Sequence, residues 1–346
     1  MSGSNSDFND YFNEMNNIIL VLLMKSKEQQ NNKLVSGIEF INEEYCEKEK
    51  SDLISPETKR KLINGEVGSY FCFGLNFSED KEFFDALRYN FQNYTSLYSL
   101  NFNSNFLTTE KIIPLVDIFK NCFINIQYLD LSYNEIDNID NLIYSLMNNS
   151  TLNYLNLSNN NIKDINILCE YLSKNNSLKT LNLSHNSIHN FDDFENVFSH
   201  NTTLKELNIG NQNNIKNPIN ITKFCNGLNN NNSLGVLYMC GLELTDINPL
   251  FDNLKNNSSL SILNLYDNNI SNIDCLEEFF KTNKSLSKLS LSYNKIHNIT
   301  PLCNGLNYNE HLYYLDIREN NDIPIQQTNQ FETVLKNNIC LVELHY

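Results

Sequence analysis

Residues 152–177 read LNYLNLSNNNIKDINILCEYLSKNNS, and residues 178–203 read LKTLNLSHNSIHNFDDFENVFSHNTT. Laid one over the other, they place Leu152, Leu155, Leu157, Asn160 and Ile162 on Leu178, Leu181, Leu183, Asn186 and Ile188. The same five positions return as Leu260, Leu263, Leu265, Asn268 and Ile270, and as Leu286, Leu289, Leu291, Asn294 and Ile296. Traced outward in both directions, the first position falls at 97, 126, 152, 178, 204, 234, 260, 286, 312 and 341. Six of the nine intervals are 26 residues and the others are 29, 30 and 29, so a fixed period governs the chain.

Written out, the unit is LxxLxLSxNxIxxIxxLxxxLxxNxS. Its LxL portion alternates with period two, which buries the leucines and turns their neighbours outward, as in a half-buried strand. After the Asn the period lengthens. Ile136, Ile139, Leu142, Ile143 and Leu146 follow helical spacing, as do Ile270, Ile273, Leu276, Phe279 and Phe280. Each unit is therefore expected to run strand, turn, short helix, turn. One coil alone orders too much backbone for the few apolar side chains it buries, so neighbouring coils must cover each other's flanks. The repeated Asn (Asn105, Asn134, Asn160, Asn186, Asn268, Asn294, Asn320) is expected to point inward and serve backbone groups freed at the turn.

This pattern resembles the leucine-rich-repeat family, and its helical half is similar to the ribonuclease-inhibitor-like class, though a few residues shorter. The resemblance covers about Leu97 to Tyr346. It implies an α/β fold: a leucine-rich-repeat solenoid, or horseshoe, with a parallel β-sheet on the concave face and short helices on the convex face. Upstream, Tyr70, Phe73 and Leu75 lie 27 residues before Leu97, Leu100 and Phe102, with Phe83, Phe84 and Leu87 where an outer helix belongs. Residues 70–96 thus read as a degenerate first repeat, 97–340 as regular repeats and 341–346 as a half-repeat. Residues 1–69 read as a separate segment: a helical cap over Phe8–Met24 and a charged surface link over Glu43–Arg60.

Composition narrows the function. The chain carries 25 Lys and Arg against 41 Asp and Glu, a formal charge of −16, and only three Arg. That balance disfavours a broad phosphate-binding surface, so no nucleic-acid partner is expected. The 65 Asn read as a compositional bias without chemical meaning. Nine Cys stand singly, with no CxxC pair, which suggests neither a disulfide framework nor a zinc site. Met1–Asp10 lacks the basic and apolar regions of a signal peptide, and the apolar run Ile18–Met24 is far short of the roughly 20 residues of a membrane span. A cytoplasmic, monomeric protein without membrane contact is the expectation.

No GxxxxGK[ST], HExxH or GxSxG motif occurs, and the six His do not pair with each other or with Cys at ligand spacing. No catalytic residue, metal site or cofactor is assigned. His185 is expected on the inner face near Asp130 and Asn156, as a solvated side chain. Arg318 is expected to point outward and pair with Asp316 or Glu319.

Function is sought instead on the outward side of the strands, a face about 48 Å long for ten strand intervals. Its central column reads Asn101, Asp130, Asn156, Asn182, Asn208, Tyr238, Asn264, Ser290, Asp316. The unit from Leu234 interrupts the polar background: Leu242 takes the Asn position, and Gly235, Val236, Tyr238 and Cys240 replace polar residues. With Ile262 and Tyr266 these suggest an exposed apolar patch, the kind of surface that anchors partners. Tyr128, Tyr154 and Tyr133 cluster earlier, and Tyr313 and Tyr314 later. The partner-binding residues are accordingly placed at Tyr128, Tyr154, Val236, Tyr238, Ile262, Tyr266 and Tyr314. The expectation is a non-catalytic module that binds a protein on its concave face. Two alternatives follow from the resemblance alone: a GTPase-activating protein of the leucine-rich-repeat type, and a substrate-recognition adaptor for a ubiquitin ligase.

Overall fold

By its contacts the chain divides between Phe40 and Ile41. In the second unit the computed structural model describes residues 55–71, 81–321, 323–338 and 340–345. The expected Phe8–Met24 cap, and Phe73 and Leu75, lie outside the described residues.

Strand and helix alternate throughout. The strands are β1 Ser69–Phe71, β2 Ser99–Asn101, β3 Tyr128–Asp130, β4 Tyr154–Asn156, β5 Thr180–Asn182, β6 Glu206–Asn208, β7 Val236–Tyr238, β8 Ile262–Asn264, β9 Lys288–Ser290, β10 Tyr314–Asp316 and β11 Glu343–His345. The helices are α1 Pro56–Ile63, α2 Lys81–Asn93, α3 Ile113–Asn121, α4 Asp140–Leu146, α5 Asn166–Lys174 and α6 Phe194–His200. They continue with α7 Thr222–Leu228, α8 Asn248–Leu254, α9 Cys275–Thr282, α10 Thr300–Leu306 and α11 Ile325–Asn337. All eleven strands form one sheet in sequence order, and each pairing is parallel. From β2 onward register follows the repeat: Leu129 opposes Leu155, Leu155 opposes Leu181, and Leu181 opposes Leu207. At β1 the expected alignment of Tyr70 with Leu97 is corrected, because Tyr70 opposes Leu100.

The core runs between sheet and helices as one continuous cluster. Leu155, Leu157, Ile162, Leu168 and Leu172 of one coil are fully buried, as are their counterparts in the next. Helices are shorter than the helical-looking stretch of sequence. Ile136 and Ile139 are buried but precede α4, which starts only at Asp140. An Asx side chain sets that start: Asn138 Oδ1 accepts from Asp140 N at 2.9 Å, Asp164 Oδ1 from Asn166 N at 2.8 Å, and Asn272 Oδ1 from Asp274 N at 2.8 Å.

The inward Asn does what its position demands. Asn186 Nδ2 donates to the carbonyls of Leu157, Leu183 and Ser184, while Oδ1 accepts from Ile162 N at 3.0 Å. Asn134, Asn160, Asn268, Asn294 and Asn320 repeat this bonding across their own coil boundaries. In the coil from Leu204 the longer Gln212 takes over, its amide reaching Leu183 O, Ile209 O and Gly210 O. At Leu242 the amide is missing and an apolar, fully buried side chain stands there.

A second column of buried Asn closes the other turn. Asn201 Nδ2 donates to Leu172 O and Asn175 O of the preceding coil, and its Oδ1 accepts from Thr203 N and Leu204 N. Asn231, Asn257, Asn283 and Asn309 do the same. Much of the Asn excess, read from composition as a bias without meaning, is thus built into the backbone hydrogen-bonding of the coils.

Two further corrections concern the ends and the turns. The Glu43–Arg60 stretch is not a surface link to its end, because Pro56 onward belongs to α1. Ser55 accepts from Thr58 N there, Leu62 is fully buried, and Asn90 Nδ2 of α2 donates to Leu62 O at 2.6 Å. In addition, the residue before each ladder position has a left-handed backbone: Tyr133, Asn159, His185, Asn211, Gly241, Asp267, Tyr293 and Glu319 all have φ between 53° and 56°.

These features predict graded effects on unfolding by urea. Asn186→Ala leaves buried carbonyls short of a donor and should cost about 2–4 kcal/mol, seen as a lowered midpoint. Tyr293→Val forces a β-branched residue into the left-handed region and should cost about 1–2 kcal/mol, whereas Tyr293→Gly should cost less. Equal losses for the two Tyr293 variants would show that backbone conformation is not what that position selects.

Candidate functional site

The outward column positions are brought together by the parallel register. Tyr128 pairs with Tyr154, Val236 with Ile262, and Asn208 with Tyr238. Because neighbouring strands lie about 4.8 Å apart, side chains in one column touch from coil to coil.

The central column is not the solvated strip that its polarity suggested. Asn101, Asp130, Asn156, Asn182, Asn264, Ser290 and Asp316 are all buried. Each Asx side chain folds back on its own strand: Asn156 Oδ1 accepts from Ser158 N at 3.1 Å, Asn182 Oδ1 from Ser184 N at 3.0 Å, and Asn264 Oδ1 from Tyr266 N at 2.9 Å. These turns finish the strands after three residues and leave little polar surface for a ligand. The side chains left partly exposed are mainly those of the flanking column that runs through Tyr128, Thr180, Glu206, Val236, Ile262, Lys288 and Tyr314.

In this column, the Tyr128 and Tyr154 rings stack with centroids 4.4 Å apart and an interplanar angle of 6°. Tyr128 is half-buried, but Tyr154 is buried at 5 % exposure, so its ring does not present the open face assigned to it from sequence. Beside the pair, Asp130 Oδ1 accepts from Ser132 N and Oγ at 2.9 and 2.6 Å. Its Oδ2 accepts from Tyr128 Oη and Asn156 Nδ2, both at 3.3 Å. Burial pushes the Asp130 carboxyl up, against the pull of those hydrogen bonds.

The residues of the interruption in the middle of the face lie side by side but are less exposed than the sequence reading expected. Val236, Tyr238, Ile262 and Tyr266 are half-buried neighbours on β7, β8 and the turn that follows. Tyr293 extends the patch, its ring 5.0 Å from that of Tyr266 and more than a third exposed. Sequence reading missed it. The left-handed position of Tyr293, just before ladder residue Asn294, tips its ring to the rim. Cys240 is buried rather than part of the surface. Toward the C-terminal end, Lys288 Nζ stands 5.2 Å and 5.9 Å from the ring centroids of Tyr313 and Tyr314, and Tyr314 also meets His345.

Charge on the face is mostly spent internally. Arg318 donates Nε to Asp316 Oδ1 at 3.0 Å and Nη2 to Oδ2 at 2.8 Å, the expected local pair, with Glu319 taking no part in it. His185 is half-buried in its left-handed turn, and burial lowers its pKa. Among the described residues no group of three His, Cys, Asp or Glu is placed to hold a metal ion. The carboxylate of Glu206, half-buried on β6, has no hydrogen-bond or ion-pair partner among the described residues, and burial raises its pKa.

That carboxylate has a measurable cost. A folded-state pKa above the unfolded one favours the folded state fully at low pH, and the advantage is lost as pH rises through the folded value. At neutral pH the charged Glu206 therefore weakens the fold. Glu206→Gln should raise the urea midpoint at pH 7, and the gain should vanish below about pH 4. A gain that persists at low pH would assign the effect to something other than charge.

Comparison with known proteins agrees with the architecture. A family profile described as "Leucine Rich repeat" matches residues 124–139, 148–165 and 174–190. No curated protein matches in sequence. Among solved structures, a chain of the Toll–Spatzle complex of Drosophila aligns over 74 % of this chain and 30 % of its own length, at 17 % identity and a TM-score of 0.51. An internalin from Listeria monocytogenes aligns over 83 % of this chain and 88 % of its own, at 18 % identity and a TM-score of 0.48. The TLR13–ssRNA13 complex contributes a chain aligned over 68 % of this one and 30 % of its own, at 24 % identity and a TM-score of 0.47. This chain thus spans about three-tenths of the length of the two receptor-complex chains it resembles. The period, the in-register parallel sheet and the three matched repeats together show that this chain has the leucine-rich-repeat solenoid fold.

Proposed function

We propose that this chain is a non-catalytic interaction module that holds a protein partner on the strand face of its solenoid. The observation that carries this reading is the interruption formed by Val236, Tyr238, Ile262 and Tyr266. Elsewhere the same columns hold mainly Ser, Thr and Asn already satisfied by their own backbone. Tyrosines on a rigid sheet offer large contact area at small entropic cost, which is what binding hot spots use. The face is also longer than an ordinary interface of about 800 Å² per partner requires. The occurrence of a like fold in the Toll–Spatzle complex supports a protein as the ligand. The net charge of −16 speaks against nucleic acid.

We place the protein in the cytoplasm, a reading supported by the cysteines among the described residues: Cys122, Cys169, Cys225, Cys240, Cys275, Cys303 and Cys340 are free thiols. Among the described residues no helix is long and apolar enough to cross a membrane. Nothing on the strand face favours the GTPase-activating or ubiquitin-adaptor readings.

The test is affinity capture from the native cell, comparing wild type with Tyr238→Asp/Tyr266→Asp once circular dichroism shows both folded. A protein recovered by the wild type and lost by the double variant is the expected result. Identical recoveries would remove this patch as the binding site.

A further inference from the structure

The cations of the strand face are committed: Arg318 is held by both oxygens of Asp316, and Lys288 lies over Tyr313 and Tyr314. Its central anion is not. Glu206 sits at the middle of the face, paired in register with Thr180 on one side and Val236 on the other, and neither can neutralise it. Lys205, its sequence neighbour, is exposed and forms no ion pair with it among the described residues. Tyr238 is the register partner of Asn208, two residues past Glu206, so the carboxylate and the phenol ring belong to diagonal neighbours on adjacent strands, about 7–8 Å apart at the backbone. A half-buried carboxylate next to an aromatic ring is the arrangement that a guanidinium or ammonium group completes, through a charge-assisted hydrogen bond to one and a cation–π contact with the other.

We propose that the bound partner inserts one cationic side chain, Arg or Lys, between Glu206 and Tyr238, and is thus a protein with a basic segment. This deepens the binding reading given above and rests on it. A cation supplied there removes the penalty of the lone carboxylate, while Val236 and Ile262 cover the aliphatic stem of the inserted side chain.

Fluorescence anisotropy of a labelled octa-arginine peptide at low ionic strength tests the idea, with octa-glutamate and a single-stranded oligouridylate run beside it. Wild type should bind octa-arginine in preference to the other two. Glu206→Gln should weaken that binding about tenfold and Tyr238→Leu by several-fold. Asp117→Asn, which removes an exposed carboxylate on α3 of the opposite face, should leave it unchanged. Circular dichroism checks each variant for folding. The proposal is overturned if octa-arginine does not bind, if Glu206→Gln and Asp117→Asn behave alike, or if either control probe binds more tightly. Should capture of a cellular partner depend on Tyr238 and Tyr266 while octa-arginine is blind to Glu206, the binding face stands and the cation falls. Should neither depend on the face, both readings fall together.

Discussion

The structure depends on how one buried amide per coil disposes of the backbone groups that a 26-residue turn leaves without partners. An α-helix or a long strand satisfies its main chain by itself, but a three-residue strand followed by a bend does not. In each regular coil the carboxamide of a single Asn donates to carbonyls on its own strand end and on the coil before, and accepts an amide from that same earlier coil. Asn suits the task because one short side chain carries both two donors and an acceptor. Leu or Ser at that position supplies at most part of that set. The leucines provide the free energy of stacking, and the amides fix where one coil sits on the next.

That division of labour explains what could be read from the sequence. Leu155, Leu157 and Asn160 recur at fixed spacing because core and ladder are both local in register, and both were legible. The strand columns followed directly, including the meeting of Val236 with Ile262 and of Tyr128 with Tyr154. Three things were not legible. The start of each helix was misjudged, because Ile136 and Ile139 obey helical spacing while lying in the turn that Asn138 shapes. The fate of the central column was hidden, because an Asn on the outward side of a strand looks solvated in one dimension. Its burial arises only when the residue two positions on and the next coil close over it. The place of Tyr293 was hidden for a related reason: its backbone is left-handed, and no simple alternation predicts where such a residue points.

The candidate site shows the converse relation between stability and function. Most of the strand face is self-sufficient, with Asn, Ser and Asp side chains consumed by the backbone beneath them. Departures from that economy stand out for this reason. Val236, Tyr238, Ile262 and Tyr266 set apolar and aromatic surface where other coils carry mainly polar residues, and the Glu206 carboxylate has no hydrogen-bond or ion-pair partner among the described residues. A face so thoroughly satisfied elsewhere isolates the few groups that are not.

The missing amide at Leu242 has a consequence for how neighbouring coils are joined. Carbonyls of Ile209 and Met239 each receive a single side-chain amide, from Gln212 and Asn268, whereas Leu157 O or Leu265 O receives two. In a nearest-neighbour chain of coils this junction lacks one bridging amide, and it falls at the 30-residue interval, between β6 and β7. Glu206, Val236 and Tyr238 lie directly on it, so a ligand held by these residues bridges the two coils at the place where one internal tie is absent.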